Sequence, residues 1–210
     1  MINTKLKKKV KRKENKVKRK EKEEILPKKV KKRELMNLPN QQTLNQIWEY
    51  IVQRPNKRGE YKRAENESLF LLCWKVGLRI SEAINFDLNL RHEQQEYKNL
   101  YQLRGKGNKE RWVFVSDEVV KELKLRKWEP GKNNRISFFF FLQQIKKEMG
   151  LSVKTELAPH TLRRCFATYN HLGGMPLSVL QEVLGHNSLG TTGKYVRAGT
   201  LENLMKYRPI

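Results

Sequence analysis

Only two cysteines, Cys73 and Cys165, occur in the 210 residues, and both sit inside apolar helical patterns. That leaves neither a disulfide framework nor a cysteine metal site, and the pair reads as reduced core residues of an intracellular chain. No apolar run is long enough to span a bilayer and no stretch has the pattern of a lipid-binding helix, so no membrane partner is expected. No apolar segment follows the basic N-terminus, which excludes a secretory signal. No carboxylate or Cys/His cluster has ligand spacing, and GKGNK lacks the strand-loop-helix context and the Ser/Thr of a nucleotide P-loop. Neither metal nor cofactor is therefore expected. Negative charge is scarce as well: 45 Lys and Arg face 22 Asp and Glu, a net charge of +23. Such a surplus exceeds ordinary solubility needs and points to nucleic acid, bound with release of counterions from its phosphates.

The charge is unevenly spread. Residues 1–33 hold 17 Lys and Arg and 4 Glu, or +13 of the +23. With almost nothing to bury, residues 1–37 are expected to form a disordered basic tail. This run reads as a non-specific DNA arm or as the solvated tail of a lysine-biased sequence, with a nuclear-localisation signal also open. By itself it would favour an RNA- or ribosome-associated protein. The lysine bias hints at an AT-rich genome, hence a bacterial cytoplasm or an organelle such as a plastid.

The folded part is predicted over residues 38–210. Thr43 is a candidate N-cap for a helix with Leu44, Ile47, Trp48 and Ile51 on one side, ending before Pro55. Leu69, Phe70, Leu72, Cys73 and Val76 make a second helical core stripe that stops at Gly77. Arg79 follows, and Ser81 with Glu82 opens another helix, where Glu82 either caps the helix or orients Arg79. From Tyr97 to Val115 the period changes to two on either side of the turn-rich RGKGNKE, which predicts a hairpin with Lys106 at its tip. Ser116 caps a helix to residue 125, RKWEPGKNNR is a loop, and Phe138 to Phe141 with Leu142, Ile145 and Met149 predict a buried helix ended by Gly150. The fold class is mainly α with a small antiparallel β-hairpin.

The chemistry is concentrated between residues 160 and 195. Pro159 suits a first helical turn, and Leu162, Cys165, Phe166, Tyr169 and Leu172 recur at helical spacing, which puts His160 and Arg163 on one face. Pro176 opens a further helix with Leu177, Leu180, Val183 and Leu184 as its stripe, and Gly185 is placed for a left-handed cap. His186 follows at once, and Tyr195 comes nine residues later in a stretch weakened as a helix by Gly190 and Gly193. Two histidines, an arginine and a tyrosine without a carboxylate cluster suit chemistry on an anion, most simply a phosphodiester. Arginine offers a fork for two oxygens, histidine trades protons near neutral pH, and tyrosine can attack phosphorus.

HTLRRCFAT followed by LGHNSLGTTGKYV resembles the C-terminal motif region of the tyrosine recombinases, the phage integrase family, with 26 residues from His160 to His186 and 9 more to Tyr195. GLRISEAINF is similar to the family's pattern around its first motif arginine, and GKG to the context of its motif lysine. The resemblance implies a DNA strand transferase for recombination or integration, acting through a 3′-phosphotyrosyl intermediate without metal or ATP. Tyr195 would be the nucleophile, and Arg79 and Arg163 would clamp the phosphate. Lys106 would protonate the leaving oxygen, with Lys109 as its substitute; His160 would serve as acid/base, and His186 would hydrogen-bond a phosphate oxygen. Arg164 departs from the family's usual histidine, and reads equally as an extra phosphate contact or a solvated charge. The 81 positions from Arg79 to His160 are few for the family, which implies trimmed loops. The resemblance spans about residues 40–210, its catalytic part; in relatives a helical DNA-clamping domain stands ahead of it, where this chain has the basic tail. Double-stranded DNA is the implied partner, with self-association through a small C-terminal helix around Leu201, Leu204 and Met205. The alternative is a degenerate DNA-binding protein that keeps the fold without catalysis.

Overall fold

The computed structural model describes residues 38–55, 63–104 and 110–185. The basic tail, Lys106, Lys109, His186, Tyr195 and the C-terminal helix fall outside the described residues. Among the described residues the architecture is mostly helical with one two-stranded antiparallel sheet, as the hydrophobic periods imply. Helix α1 spans Gln41–Gln53, α2 Arg63–Trp74, α3 Ile80–Ile84, α4 Asp117–Leu125, α5 Arg135–Glu148, α6 Pro159–Leu172 and α7 Leu177–Leu184. Strands β1 (Leu100–Arg104) and β2 (Glu110–Phe114) pair in the register Leu100 to Phe114 and Leu103 to Arg111.

Helix α2 lies at the centre. Every residue from Asn66 to Trp74 is buried, so this helix has no solvent face, and α3, α4, α5 and α6 pack around it. Alternation along the hairpin divides its burial: Tyr101, Leu103 and Val113 enter this main core, while Leu100 and Phe114 join Phe166, Met175 and α7 in a second cluster. The hairpin and α7 are thereby fixed against the middle of α6. Ser116 caps α4 by accepting from the Val119 N–H, and Gly185 ends α7 at φ 61° in the left-handed conformation.

Three local expectations are corrected. The cap of α1 is Asn40, whose side chain accepts from the Thr43 N–H at 2.7 Å; Thr43 lies inside the first turn. Leu172 and Leu177 are exposed at 74% and 55%, because each lies at a helix end beyond the reach of the core. The phenylalanine run faces two ways: Phe138 and Phe141 are buried, whereas Phe139 and Phe140 are 41% and 64% exposed. Four consecutive helical positions, each about 100° from the last, fan over about 300° of the helix surface, so they cannot all enter one core. The stretch around Trp128 is a loop, as expected, and it is anchored inward, the indole N–H donating to the Phe86 carbonyl at 2.8 Å.

Gly77 is where α2 must turn toward Arg79. Its φ is +74°, and a Cβ there would lie 2.4 Å from the Phe166 ring. Gly77→Ala combines left-handed strain with a clash in the core and should cost about 3 kcal/mol. Thermal unfolding should show a midpoint lower by roughly 6–12 °C. A drop under about 2 °C would mean that neither the backbone strain nor the clash with the ring is felt.

Candidate active site

Arg79 is the N-cap of α3, with extended backbone at φ −66° and ψ 147°. Glu82, one turn on, performs both roles that its position allows. Its carboxylate accepts from the Arg79 backbone N–H at 2.8 Å and from the Arg79 guanidinium at 2.8 Å. Arg111 of β2 meets the same carboxylate in a bidentate pair, at 2.8 Å for each bond. Arg163, from the first turns of α6, lies 3.5 Å from it and donates to the Gly77 carbonyl at 2.7 Å. One buried carboxylate is thus surrounded by three guanidinium groups, which leaves two positive charges in excess.

The surroundings set the ionisation. Burial disfavours the charged form of Glu82, but the Arg111 and Arg79 hydrogen bonds outweigh it and hold its carboxyl at about 2, below the ordinary 4.5. Burial, with Arg79 alongside, brings Arg163 down to about 10, so it stays charged at neutral pH. A depressed carboxyl contributes stability that is full above the ordinary value and lost as pH falls through the depressed one. The stability gap between wild type and Glu82→Gln should therefore be widest above about pH 4.5 and narrow by on the order of 3 kcal/mol as pH falls through about 2. Urea unfolding at pH 6 and pH 3 captures about 2 kcal/mol of it; an unchanged gap would show that the arginines do not hold this carboxylate ionised.

Arg79, His160 and Arg163 line one cavity of about 1180 Å³ together with Asn134, Arg135, Ile136, Phe139, Phe140 and Pro159. Arg79 keeps 41% of its side chain exposed and His160 is exposed, while Arg163 is buried. The N-terminal turns of α5 and α6, each a helix of 14 residues, both open onto this space, and Ala158 supplies no side-chain cap for α6. Positive helix ends and arginine forks converge there, an arrangement suited to an anion. Arg164 points elsewhere, pairing with Glu156 at 3.0 Å. Among the described residues no three His, Cys, Asp or Glu side chains gather as a metal site. No described helix is long and apolar enough to cross a membrane.

The sequence profile of the phage integrase family matches residues 40–201. The chain belongs to that family. A tyrosine recombinase XerD of Rickettsia bellii is 27% identical over 194 residues, which cover 80% of this chain and 62% of the relative. A tyrosine recombinase XerA of Saccharolobus solfataricus is 32% identical over 141 residues, covering 64% and 46%. The chain spans between about half and three-fifths of the length of the curated relatives it matches. In fold it is similar to the XerH recombinase solved in a pre-cleavage complex with its difH substrate, at a TM-score of 0.58 and 20% identity over 83% of this chain and 50% of that one. The crystal structure of XerA recombinase gives 0.55 and 19%, over 88% and 68%.

For this integrase-family chain, the structure brings together three of the six residues singled out as catalytic, Arg79, His160 and Arg163. Arg111 was not among those six. Its signal was nonetheless present: in the hairpin register it falls opposite Leu103, on the face that carries Tyr101 and Val113 into the core. A charge on an inward face requires a partner.

Proposed function

We propose that this chain breaks and rejoins DNA strands as a tyrosine recombinase. The Tyr195 oxygen attacks a scissile phosphate and gives up its proton to His160, forming a 3′-phosphotyrosyl bond as the bond to the 5′ oxygen breaks. Lys106 protonates that leaving oxygen. Arg79 and Arg163 donate to the non-bridging oxygens where charge builds, and His186 adds a hydrogen bond. Attack by the hydroxyl of another strand reverses the steps. The phosphodiester energy is retained in the link, so no ATP is consumed.

The observation that carries this reading is the convergence of Arg79, His160 and Arg163, separated by 81 and 3 positions in the chain, on one cavity with an excess of positive charge. Exposed Ile136, Phe139 and Phe140 add an apolar wall beside the anion-binding one, which suits the sugar and base edges that flank a phosphate in DNA. DNA as partner is further supported by the similar XerH recombinase, solved with its DNA substrate. Self-association through the C-terminal segment and service in recombination or integration belong to the same proposal. One observation favours a second reading, a DNA-binding protein without catalysis: both arginine forks are engaged here with Glu82 and with backbone carbonyls.

Incubation with nicked duplex DNA that traps a covalent adduct separates the two. An adduct should form at an undiminished rate in excess EDTA, since guanidinium and ammonium groups do what metal ions do in other phosphoryl transfers. Cleavage that strictly requires magnesium, with binding unaffected, would overturn the mechanism. DNA binding with no adduct under either condition would favour the second reading.

A further inference from the structure

Three successive carbonyls at the C-terminus of α7 are each held by a different arginine. Arg111 donates through Nε to Val183 at 3.0 Å, Arg163 donates to Leu184, and Arg79 donates to Gly185 at 3.1 Å. These are among the acceptors that a helix end leaves without intrahelical partners, and cations there complement the negative end of the helix dipole. The three arginines come from β2, α6 and the cap of α3, and the same three surround Glu82.

Their situations differ. The Arg79 side chain is 41% exposed on the cavity and Arg163 lines it, so a phosphate there would compete with Leu184, Gly185 and Glu82 for their N–H groups. Arg111 is only 13% exposed, does not line the cavity, and spends both Nη groups on Glu82 and its Nε on Val183. It lies so close beneath the end of α7 that a Cβ on Gly185 would come within 3.1 Å of its Cδ. It also stands in β2, two positions beyond Lys109 and five beyond Lys106 in the chain.

We propose that Arg111 is a positioning residue for the phosphate clamp: it neutralises Glu82, so that Arg79 and Arg163 can turn to a phosphodiester, and it keeps hold of α7 and the hairpin while they do. This rests on the reading of the cavity as a phosphodiester site. Without Arg111 the charge balance around Glu82 falls from two positive to one, and the carboxylate, 3.5 Å from Arg163 and 2.8 Å from Arg79, draws both forks away from the substrate. The end of α7, from which the chain continues directly into His186, loses the one arginine that no substrate would call away.

The test uses the full chain on nicked duplex DNA in single-turnover cleavage, with DNA affinity and thermal midpoint measured alongside. Arg111→Met should slow cleavage at saturating DNA by roughly 10- to 100-fold, with affinity changed by less than about threefold. Adding Glu82→Gln to Arg111→Met restores the charge balance and should recover most of the lost rate, whereas a residue that only props up the fold would show a deeper loss in the double variant. Arg111→Lys keeps the charge without the fork and should fall between wild type and Arg111→Met, which keeps the comparison usable if Arg111→Met unfolds. Wild-type rates in Arg111→Met and Arg111→Lys, or a double variant slower than Arg111→Met, would overturn the proposal. A wild-type chain that forms no adduct would instead sink the phosphodiester reading, and this proposal with it.

Discussion

Tyr195→Phe is expected to abolish covalent attachment to nicked DNA and to leave affinity within about fivefold, because only one hydroxyl, with at most one hydrogen bond, is removed. The described residues narrow the choice of nucleophile. No tyrosine among them lines the cavity that holds Arg79, His160 and Arg163. Tyr169 spends its hydroxyl on the Pro39 carbonyl at 2.7 Å, and Tyr101 is 3% exposed; burial raises the hydroxyl of each above the ordinary range, the reverse of activation. Tyr50 donates to Glu148 at 3.2 Å, and Tyr97 sits edge-on to His92. A tyrosine that attacks a phosphate there must come from outside the described residues, and Tyr195 is the one at family spacing from His186. Tyr207→Phe is the control and should retain the adduct. Denaturing gels of chain mixed with labelled DNA measure both. An adduct that persists in Tyr195→Phe and vanishes in Tyr207→Phe would transfer the role to Tyr207.

The elements that could be read in advance are those whose signal is local. Gly77 and Gly185 both adopt the left-handed conformation that their places after apolar helical runs imply, Ser116 caps α4, and the change of period marks the hairpin, although β1 begins at Leu100, three residues after Tyr97. What escaped depends on tertiary partners. Thr43 and Asn40 are both good caps, and only the bond from Asn40 to the Thr43 N–H decides between them. Leu172 and Leu177 fit their helical stripes in sequence, yet where a helix ends relative to its neighbours is not written in periodicity. The same holds for the site. Arg79, His160 and Arg163 stood out in the sequence because their spacing matches a family pattern, and in the fold they line one cavity. Arg111 did not stand out, since its significance lies in Glu82 and in the end of α7, 29 and 72 positions away.

Deletion of residues 1–33 should weaken binding to all DNA sequences alike and flatten its dependence on salt. The tail carries +13, more than half of the net charge, mainly on flexible lysine side chains. Ammonium groups on long stems neutralise phosphates but impose little geometry, so they add affinity without reading bases. Each phosphate contact contributes about −0.9 to the slope of log affinity against log salt, so roughly five contacts would flatten that slope by about 4 to 5. Between 50 and 200 mM salt, the advantage of the full chain over the truncated one should shrink by roughly several hundredfold. The cleavage rate at saturating DNA should barely change, because Arg79, His160 and Arg163 are held by α3, α6 and Glu82, all far along the chain from the deletion. Filter binding across a salt series, on duplexes of unrelated sequence, measures both quantities. A solvated tail with no contacts would leave the slope unchanged and affinity nearly so. A change in which sequence is preferred, with the salt slope intact, would instead make these residues a folded reader of bases, and the start of the folded part would have to move upstream of residue 38.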